Sequence, residues 1–249
     1  MLVAVSIAFW IFFAGSLPVF WVGAVVVFLL TVAFDRRRTA LHLYSCFWAY
    51  QYVWMNPLWK VKFVGREKLP WRGAAVIVAN HLSLLDVLVL YGLFRPFKWV
   101  SKAEVFKVPF IGWNMRMNDH VAVLRGNPES VREMMDHCRA HLARGTPILI
   151  FPEGTRSRDG RLQRFKDGAF KLAAEAGVPV IPLAVVGTGD ALPKHGLVLR
   201  EQMRGQVTVL DPIPPSKDAD ALREAARAAI IAALPEHNRP ALPPLTGSA

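Results

Sequence analysis

The chain has 249 residues, 53% of them hydrophobic, and a formal net charge of +11 at pH 7. This length suits one α/β domain with an appended segment. A basic chain can bind nucleic acid or an anionic membrane surface, but the sequence contains no nucleic-acid-binding motif and its basic residues adjoin a strongly apolar segment. We therefore expect a membrane, and no nucleic acid, as the partner of this charge.

The N-terminal segment, residues 2–34, contains no charged side chain. As one helix it would extend for about 50 Å, whereas the hydrocarbon core of a bilayer is about 30 Å thick. Gly-Ser-Leu-Pro at 15–18 interrupts the segment, which leaves two interpretations. Either a short helix breaks near Pro18 and returns as a hairpin, or residues 17–34 span the membrane after an extra leading piece. The basic cluster at 35–38 then favours a cytoplasmic location for this end, in an inner or cytoplasmic membrane.

Residues 41–55 are rich in Trp and Tyr, whose rings favour the interface between lipid and water. We predict an interfacial helix here, with a core helix of the globular part as the alternative. Residues 1–58 are accordingly assigned to membrane-anchoring and interfacial helices, and residues 59–234 to an α/β domain. Residues 235–249 are rich in proline and have no apolar period, so a disordered tail is expected.

The domain alternates short apolar runs with helical stretches, which predicts a mixed, mostly parallel sheet flanked by helices. The predicted strands are 61–65, 74–79, 98–101, 120–125, 147–151, 179–186 and 205–210. The predicted helices are 83–93, 128–143, 167–176 and 219–233.

The first candidate site follows the strand predicted at 74–79. His81 lies in the turn after this strand, and Asp86 lies about one turn inside the next helix, for which Ser83 is the predicted N-cap. Because His81 precedes the helix, its ring can fold back so that the carboxylate accepts from one nitrogen and the other serves as a base. The alternative is a capping Asp86 beside a core histidine. No Gly-x-Ser-x-Gly elbow occurs in the sequence, so a substrate is expected to supply the hydroxyl that this base activates.

The second candidate site is Phe-Pro-Glu-Gly-Thr-Arg at 151–156, which breaks another apolar strand into a turn. The arginine fork matches phosphate oxygens, and backbone N–H groups around Gly154 can add donors. We interpret Arg156, which lies close to the strand end, as an anion-binding residue. Further basic residues follow, and the first three are expected to be solvated: Arg158, Arg161, Arg164, Lys166 and Lys171.

These segments resemble motifs of the glycerolipid acyltransferase family, the 1-acylglycerol-3-phosphate acyltransferases. Asn80-His81 with Asp86 is similar to motif I, and residues 151–157 are similar to motif III. The segment at Lys102 is similar to the one that precedes motif II, and Arg125 matches the motif II arginine. The apolar strand at 178–185, which bears prolines, is similar to motif IV. Four motifs in the family's order, within about residues 60–215, make the resemblance specific.

The resemblance implies transfer of a fatty acyl group from an acyl-CoA or acyl carrier protein thioester to the free hydroxyl of a lysophospholipid, above all 1-acyl-sn-glycerol 3-phosphate. It implies that His81 is the general base and that Asp86 orients it. Backbone N–H groups near His81, or the Lys102 ammonium, are candidates for stabilising the oxyanion. Glu153 is expected to position an arginine or a substrate hydroxyl. The residues that the resemblance assigns to the acceptor's phosphate pocket are Arg125, Glu153, Gly154, Thr155, Arg156 and Lys102.

No cofactor and no metal is expected. His137 and His141 are spaced i,i+4 on one predicted helix, but the sequence offers no third ligand, so we interpret them as part of a solvated helix face. Cys46 and Cys138 lack metal-ligand spacing and are expected to be reduced. Three alternatives remain: acylation of another lysolipid, such as lysophosphatidylethanolamine or a lyso-ornithine lipid; a noncatalytic lipid-binding relative; and a membrane esterase, which the missing serine nucleophile disfavours.

Overall fold

The computed structural model describes residues 2–192, 198–199 and 202–241. Its strands are β1 (Trp59–Val64), β2 (Val76–Ala79), β3 (Lys98–Lys102), β4 (Val121–Val123), β5 (Ile148–Ile150), β6 (Val180–Val186) and β7 (Met203–Val209). Its α-helices are α1 (Leu2–Thr31), α2 (Thr39–Trp54), α3 (Leu85–Tyr91), α4 (Ile111–Met117), α5 (Pro128–Ala143), α6 (Gly168–Ala176), α7 (Thr188–Ala191) and α8 (Ala219–Ala233). Short 3₁₀ turns lie at Arg66–Lys68, Ala103–Lys107 and Glu236–Asn238.

The strands form one sheet in the order β1–β7–β6–β2–β5–β3–β4. β6 and β7 pair antiparallel, and the other neighbouring pairs are parallel. The predicted mixed, mostly parallel sheet is therefore confirmed, and each predicted strand and helix of the domain is present within a few residues of its expected bounds. Sequence patterns did not predict α4, α7 or the turn at Ala103–Lys107.

Helices cover both faces of the sheet, which explains why its central strands are continuously apolar. Along β2, Ile77 points into a core that contains residues of α2 and α3. Val76 and Val78 point to the other face, into a core formed with α5, α6 and α8. Side chains alternate between faces along a strand, so this short strand contributes to both cores. These contacts on both faces fix the position of β2 in the sheet, and so the position of the turn that follows it.

The N-terminal segment forms one continuous helix, α1, with Pro18 inside it. The predicted interruption and the hairpin are therefore wrong, whereas a membrane span at 17–34 preceded by a leading piece of the same helix stays a prediction. Proline removes one backbone hydrogen bond, but here the surrounding turns pack against α2: Phe13 and Phe20 lie 4.7 and 6.4 Å from the ring of Tyr52. The Ser16 hydroxyl also bonds the Phe13 carbonyl and lies 2.6 Å from the Tyr52 hydroxyl. By length and composition, α1 is long and apolar enough to cross a membrane.

Helix α2 lies between α1 and the α/β domain. One face is buried and contributes Cys46 and Val53 to the core beside α3. Phe47 and Trp54 are 52% and 73% exposed on the other side. The buried face matches the core-helix alternative, and contact with the lipid interface remains a prediction for the exposed rings.

The predicted tail is ordered at its start. Within Glu236–Asn238, the Asn238 carbonyl accepts the Leu162 N–H at 2.8 Å, and its side-chain amide donates to the Gly160 carbonyl at 2.8 Å. Disorder was therefore the wrong prediction for this turn, because one loop distant in sequence, at 160–162, supplies partners that composition does not reveal. Residues 242–249 of the predicted tail lie outside the described residues.

Candidate active site

The predicted site residues follow the ends of four adjacent strands. His81 follows β2, Glu153 follows β5, Lys102 ends β3 and Arg125 follows β4. These strands are neighbours in the order β2–β5–β3–β4 and run parallel. Their carboxyl ends therefore meet at one edge of the sheet, where α/β proteins place their ligand sites.

His81 and Asp86 are in direct contact. Nδ1 of His81 lies 2.7 Å from Oδ2 of Asp86, whose side chain is fully buried. The same oxygen accepts the backbone N–H groups of Leu82 and Ser83, at 2.7 and 2.9 Å. An ionised carboxylate can only accept, so this geometry favours hydrogen on Nδ1 and leaves Nε2 as the basic nitrogen. The ring folds back over the first helical turn as the spacing predicted.

A residue from a distant element completes the surroundings of Asp86. Thr188, at the start of α7, donates its hydroxyl hydrogen to Oδ1 of the carboxylate, and its side chain is fully buried. Asn80 likewise joins the turn to β6, because its side chain bonds the Val185 carbonyl at 2.8 Å and the Val185 N–H at 2.7 Å. Sequence reasoning missed both roles. Asn80 could have been noticed because it directly precedes His81 in the sequence. The sequence around Thr188 gives no such signal.

Ser83 has a different role from the predicted one. Its backbone is held by Asp86, while its buried hydroxyl donates to the Leu192 carbonyl at 2.6 Å and accepts the Leu85 N–H at 3.2 Å. It therefore links α3 to the end of α7 and lies too deep to attack a substrate. α3 itself begins after Leu84, one residue later than a Ser83 cap implies.

Phe151 fixes the plane of the His81 ring. The two rings are stacked, with centroids 3.9 Å apart and an interplanar angle of 10°. Phe151 in turn stacks on Trp99 of β3 at 5.7 Å. Carboxylate and aromatic face together restrict both torsions of the His81 side chain, which remains 14% exposed.

The Glu153 carboxylate accepts hydrogen bonds from two backbone N–H groups. This differs from the expectation that it positions an arginine or a substrate hydroxyl. Oε1 accepts the His81 N–H at 2.6 Å, and Oε2 accepts the Gln163 N–H at 2.9 Å. Burial raises the pKa of Glu153 to about 7, although the two amide donors favour its charged form. Glu153 thus ties the segment at 151–157 to the turn that carries His81, and both of its carboxylate oxygens are occupied.

The backbone after Glu153 returns to His81. The Ser157 N–H donates to the His81 carbonyl at 2.8 Å, so Arg156 is one residue away from a residue bonded to His81. Gly154 allows this reversal, because its φ is +72° and a Cβ there would meet the Lys166 side chain at 2.9 Å. Thr155 is exposed at the tip and Arg156 is half-buried.

The other two predicted cations lie at the same edge but farther along it. Lys102 pairs in register with Val123, two residues before Arg125. At about 4.8 Å per strand, β3 and β4 lie roughly 10 and 14 Å from β2. Both residues are exposed. Arg156 is therefore the predicted cation whose backbone lies nearest to His81.

The oxyanion donors suggested near His81 are otherwise engaged. The His81 N–H donates to Glu153, and those of Leu82 and Ser83 donate to Asp86. An amide that is already bonded to a carboxylate cannot also stabilise a developing negative charge on a substrate. The Lys102 ammonium, and any backbone N–H near His81 beyond these three, stay predictions for this role.

A mostly parallel sheet with a His–Asp pair and a cationic turn at its carboxyl edge has the architecture of an α/β enzyme. Residues 60–186 match the family model described as Acyltransferase. A 1-acyl-sn-glycerol-3-phosphate acyltransferase of Chlamydomonas reinhardtii is 43% identical over 242 residues, covering 95% of this chain and 69% of that protein. The chloroplastic enzyme LPAT1 of Arabidopsis thaliana is 39% identical, covering 78% of this chain and 54% of that protein. The chain therefore belongs to the acyltransferase family, in the group of the 1-acyl-sn-glycerol-3-phosphate acyltransferases, as its motifs indicated.

A solved structure supports the fold independently. The crystal structure of the 1-acyl-sn-glycerophosphate acyltransferase PlsC from Thermotoga maritima aligns with a TM-score of 0.73 at 24% identity, and covers 92% of this chain and 95% of that one. The match confirms that the sheet and its helices form the architecture of that protein.

Proposed function

We propose that this protein transfers a fatty acyl group from an acyl thioester to the free hydroxyl of 1-acyl-sn-glycerol 3-phosphate, which gives phosphatidic acid. The observation that carries the proposal is the His81 ring, held at Nδ1 by the buried Asp86 and in its plane by Phe151. A base in this position suits attack by a substrate hydroxyl. The relatives named above supply the identity of the acceptor.

In the proposed reaction, Nε2 of His81 takes the hydrogen of the acceptor's hydroxyl as its oxygen attacks the thioester carbonyl. The tetrahedral intermediate then collapses, the carbon–sulfur bond breaks, and the imidazolium returns the proton to the departing thiolate. Asp86 stabilises the imidazolium between these steps. A positioned base contributes about 10²–10⁴-fold, and holding both substrates together contributes further. The reaction needs no cofactor beyond the thioester.

The buried Ser83 hydroxyl, bonded to Leu192, supports direct transfer rather than a covalent acyl-enzyme. We assign the acceptor's phosphate first to Arg156, because its backbone adjoins the turn that carries His81. Lys102 and Arg125 are proposed to extend the cationic surface along the strand ends. Gly154 and Thr155 shape the turn, and Glu153 holds it against β2.

The exposed apolar surface of α1 supports a membrane anchor that brings the site to a lysolipid in the bilayer. The basic cluster at 35–38 supports a cytoplasmic location for the domain. The net charge of +11 supports attraction of anionic lipids and of an anionic donor, acyl-CoA or acyl carrier protein.

The decisive assay uses the purified chain in detergent with labelled acyl-CoA and a panel of lysolipids. We expect 1-acyl-sn-glycerol 3-phosphate to give the highest kcat/KM, and the His81→Ala variant to lose turnover. The exposed His237 offers a matched control, His237→Ala, which should keep wild-type activity. More than a tenth of wild-type kcat in His81→Ala would contradict the assigned base. Preference for lysophosphatidylethanolamine or a lyso-ornithine lipid would replace the acceptor, and thioester loss without an acylated lipid would indicate an esterase.

A further inference from the structure

A second cluster of ligating side chains lies away from the His–Asp pair. Asp119, in the turn between α4 and β4, faces His137 and His141 of α5. Nε2 of His137 lies 3.1 Å from Oδ1 of Asp119, and Nε2 of His141 lies 3.5 Å from Oδ2. The carboxylate supplies the third ligand that the sequence did not reveal.

The spacing of these atoms suits a small divalent transition metal. Zinc binds histidine nitrogen and carboxylate oxygen at about 2.0–2.2 Å, so two tetrahedral ligand atoms are about 3.3 Å apart. The separations of His137 from Oδ1 and of His141 from Oδ2 of the carboxylate, 3.1 and 3.5 Å, are both close to that value, and each ends on a different oxygen. One ligand atom from each residue lies within 4.8 Å of the others. Histidines spaced i,i+4 on a helix are a common zinc-binding pair.

His141 provides an observation independent of the spacing. It is 2% exposed, and apart from the 3.5 Å ion-pair approach to Asp119 its Nε2 has no hydrogen-bond partner among the described residues. A buried polar atom without a partner is costly, and coordination to a metal would satisfy it. His137 and Asp119, by contrast, are 40% and 41% exposed, which gives an ion a path from solvent.

We propose that Asp119, His137 and His141 bind one zinc-like divalent cation, with water at the remaining coordination position. Asp119 precedes β4, so the cluster lies at the amino edge of the sheet, opposite His81. The ion would therefore join the α4–β4 turn to α5 and stabilise the fold, without contact with the reacting groups.

Two cations lie near the cluster. Arg144 places Nη1 3.9 Å from Oδ2 of Asp119, but its side chain is 55% exposed and can turn into solvent. Lys98 is buried and donates to the carbonyls of Arg37 and Asn118. Arg144 competes with an ion for the carboxylate, so Arg144→Gln should tighten binding by about two- to fivefold.

The test is titration of the untagged, chelator-treated full chain with Zn²⁺ by calorimetry, and with Co²⁺ by visible absorption. We expect one ion per chain, a micromolar or tighter dissociation constant, and a higher Tm. At free Zn²⁺ 100 times the dissociation constant, the rise should be about 5–10 °C. No stoichiometric binding by the wild-type chain at micromolar affinity would overturn the proposal.

Variants locate the ion. His137→Ala removes a half-exposed ligand, and Asp119→Asn keeps a residue type that tolerates the positive φ of 59° found there. Each should weaken Zn²⁺ binding by at least about tenfold, while the metal-free Tm shows that the chain still folds. His237→Ala is the matched control and should bind as the wild type does. A smaller loss in both cluster variants, or an equal loss in the control, would overturn the assignment.

Discussion

Replacing Asp86 by asparagine removes the negative charge of the side chain and keeps its shape. In the usual triad an asparagine at this place gives the wrong imidazole tautomer. Here Oδ2 faces three donors, from His81, Leu82 and Ser83, whereas Oδ1 faces the Thr188 hydroxyl, which can rotate to accept. The amide oxygen is therefore forced into the Oδ2 position and its NH₂ group toward Thr188. The tautomer should be retained and only the negative charge lost.

The magnitude follows from Coulomb's law. A carboxylate and an imidazolium with charge centres about 4 Å apart interact by about 4 kcal/mol at an effective dielectric constant of 20. Since about 1.36 kcal/mol corresponds to tenfold in rate, Asp86→Asn should lower kcat by roughly 10³-fold. KM for both substrates should change little, because Asp86 is buried beneath His81 and does not reach the substrates.

The assay is steady-state acyl transfer with each substrate varied, beside thermal unfolding of the same preparations. Asp190→Asn, at an exposed position of α7, is the matched control and should behave as the wild type. Retention of more than a tenth of kcat by Asp86→Asn would refute the claim that this charge stabilises the imidazolium. A fall in Tm of more than 10 °C would refute the claim that the hydrogen bonds around residue 86 survive.

Three further predictions concern the groups around the pair. Thr188→Val leaves a buried charged acceptor without one donor, at a cost of about 1.5–3 kcal/mol, so Tm should fall by roughly 3–12 °C, whereas Thr188→Ser should restore it; an unchanged Tm in the valine variant would contradict the hydrogen bond to Asp86. Arg156→Ala should raise KM for the acceptor by about 10- to 100-fold, and more than Arg125→Ala does, because β4 lies three strands from β2; kinetics with varied acceptor test this ranking, and an unchanged KM would move phosphate binding elsewhere. Burial raises the pKa of Glu153 from 4.5 to about 7, so between these pH values the folded state binds more protons than the unfolded state. The free energy of unfolding should therefore fall by roughly 3 kcal/mol as pH rises from the lower value to the higher one. Glu153→Gln should flatten that part of the Tm–pH curve, and parallel curves would show that Glu153 does not titrate there.

The centre of the sheet could be predicted from sequence because its central strands are buried on both faces. The run at 74–79 is apolar at every position, and such runs need no partner information to be recognised. The position of β7, which pairs parallel with β1 and antiparallel with β6, could not be predicted, since a strand's neighbour is set by contacts across the whole chain. α4 was missed for a related reason. It depends on Gly112 approaching the Phe106 backbone so closely that a Cβ would lie 2.2 Å from the carbonyl oxygen.

In the site, too, contacts between residues close in sequence could be predicted, and contacts between distant residues could not. His81 and Asp86 are five residues apart, so the pair could be inferred from local geometry. Thr188 lies 102 residues beyond Asp86, and Glu153 lies 72 residues beyond His81. The sequence motif placed Glu153 in the site. Its position beside arginines, however, favoured the prediction that it contacts an arginine or a substrate hydroxyl. Its partners are backbone N–H groups, which carry no signal in the sequence.

The contacts of His81 explain why the two motifs occur together. Its N–H is held by Glu153, its carbonyl by Ser157 and its ring face by Phe151, so the segment at 151–157 fixes the turn at His81 at three points. Asp86 supplies a fourth, at Nδ1. With these groups engaged, Nε2 is the atom of His81 that we propose to act on a substrate. Arg156 lies in the same segment, next to Ser157. The backbone positions of the proposed base and the proposed phosphate-binding arginine are thus held together by shared hydrogen bonds, which suits an acceptor whose hydroxyl and phosphate are separated by a glycerol unit.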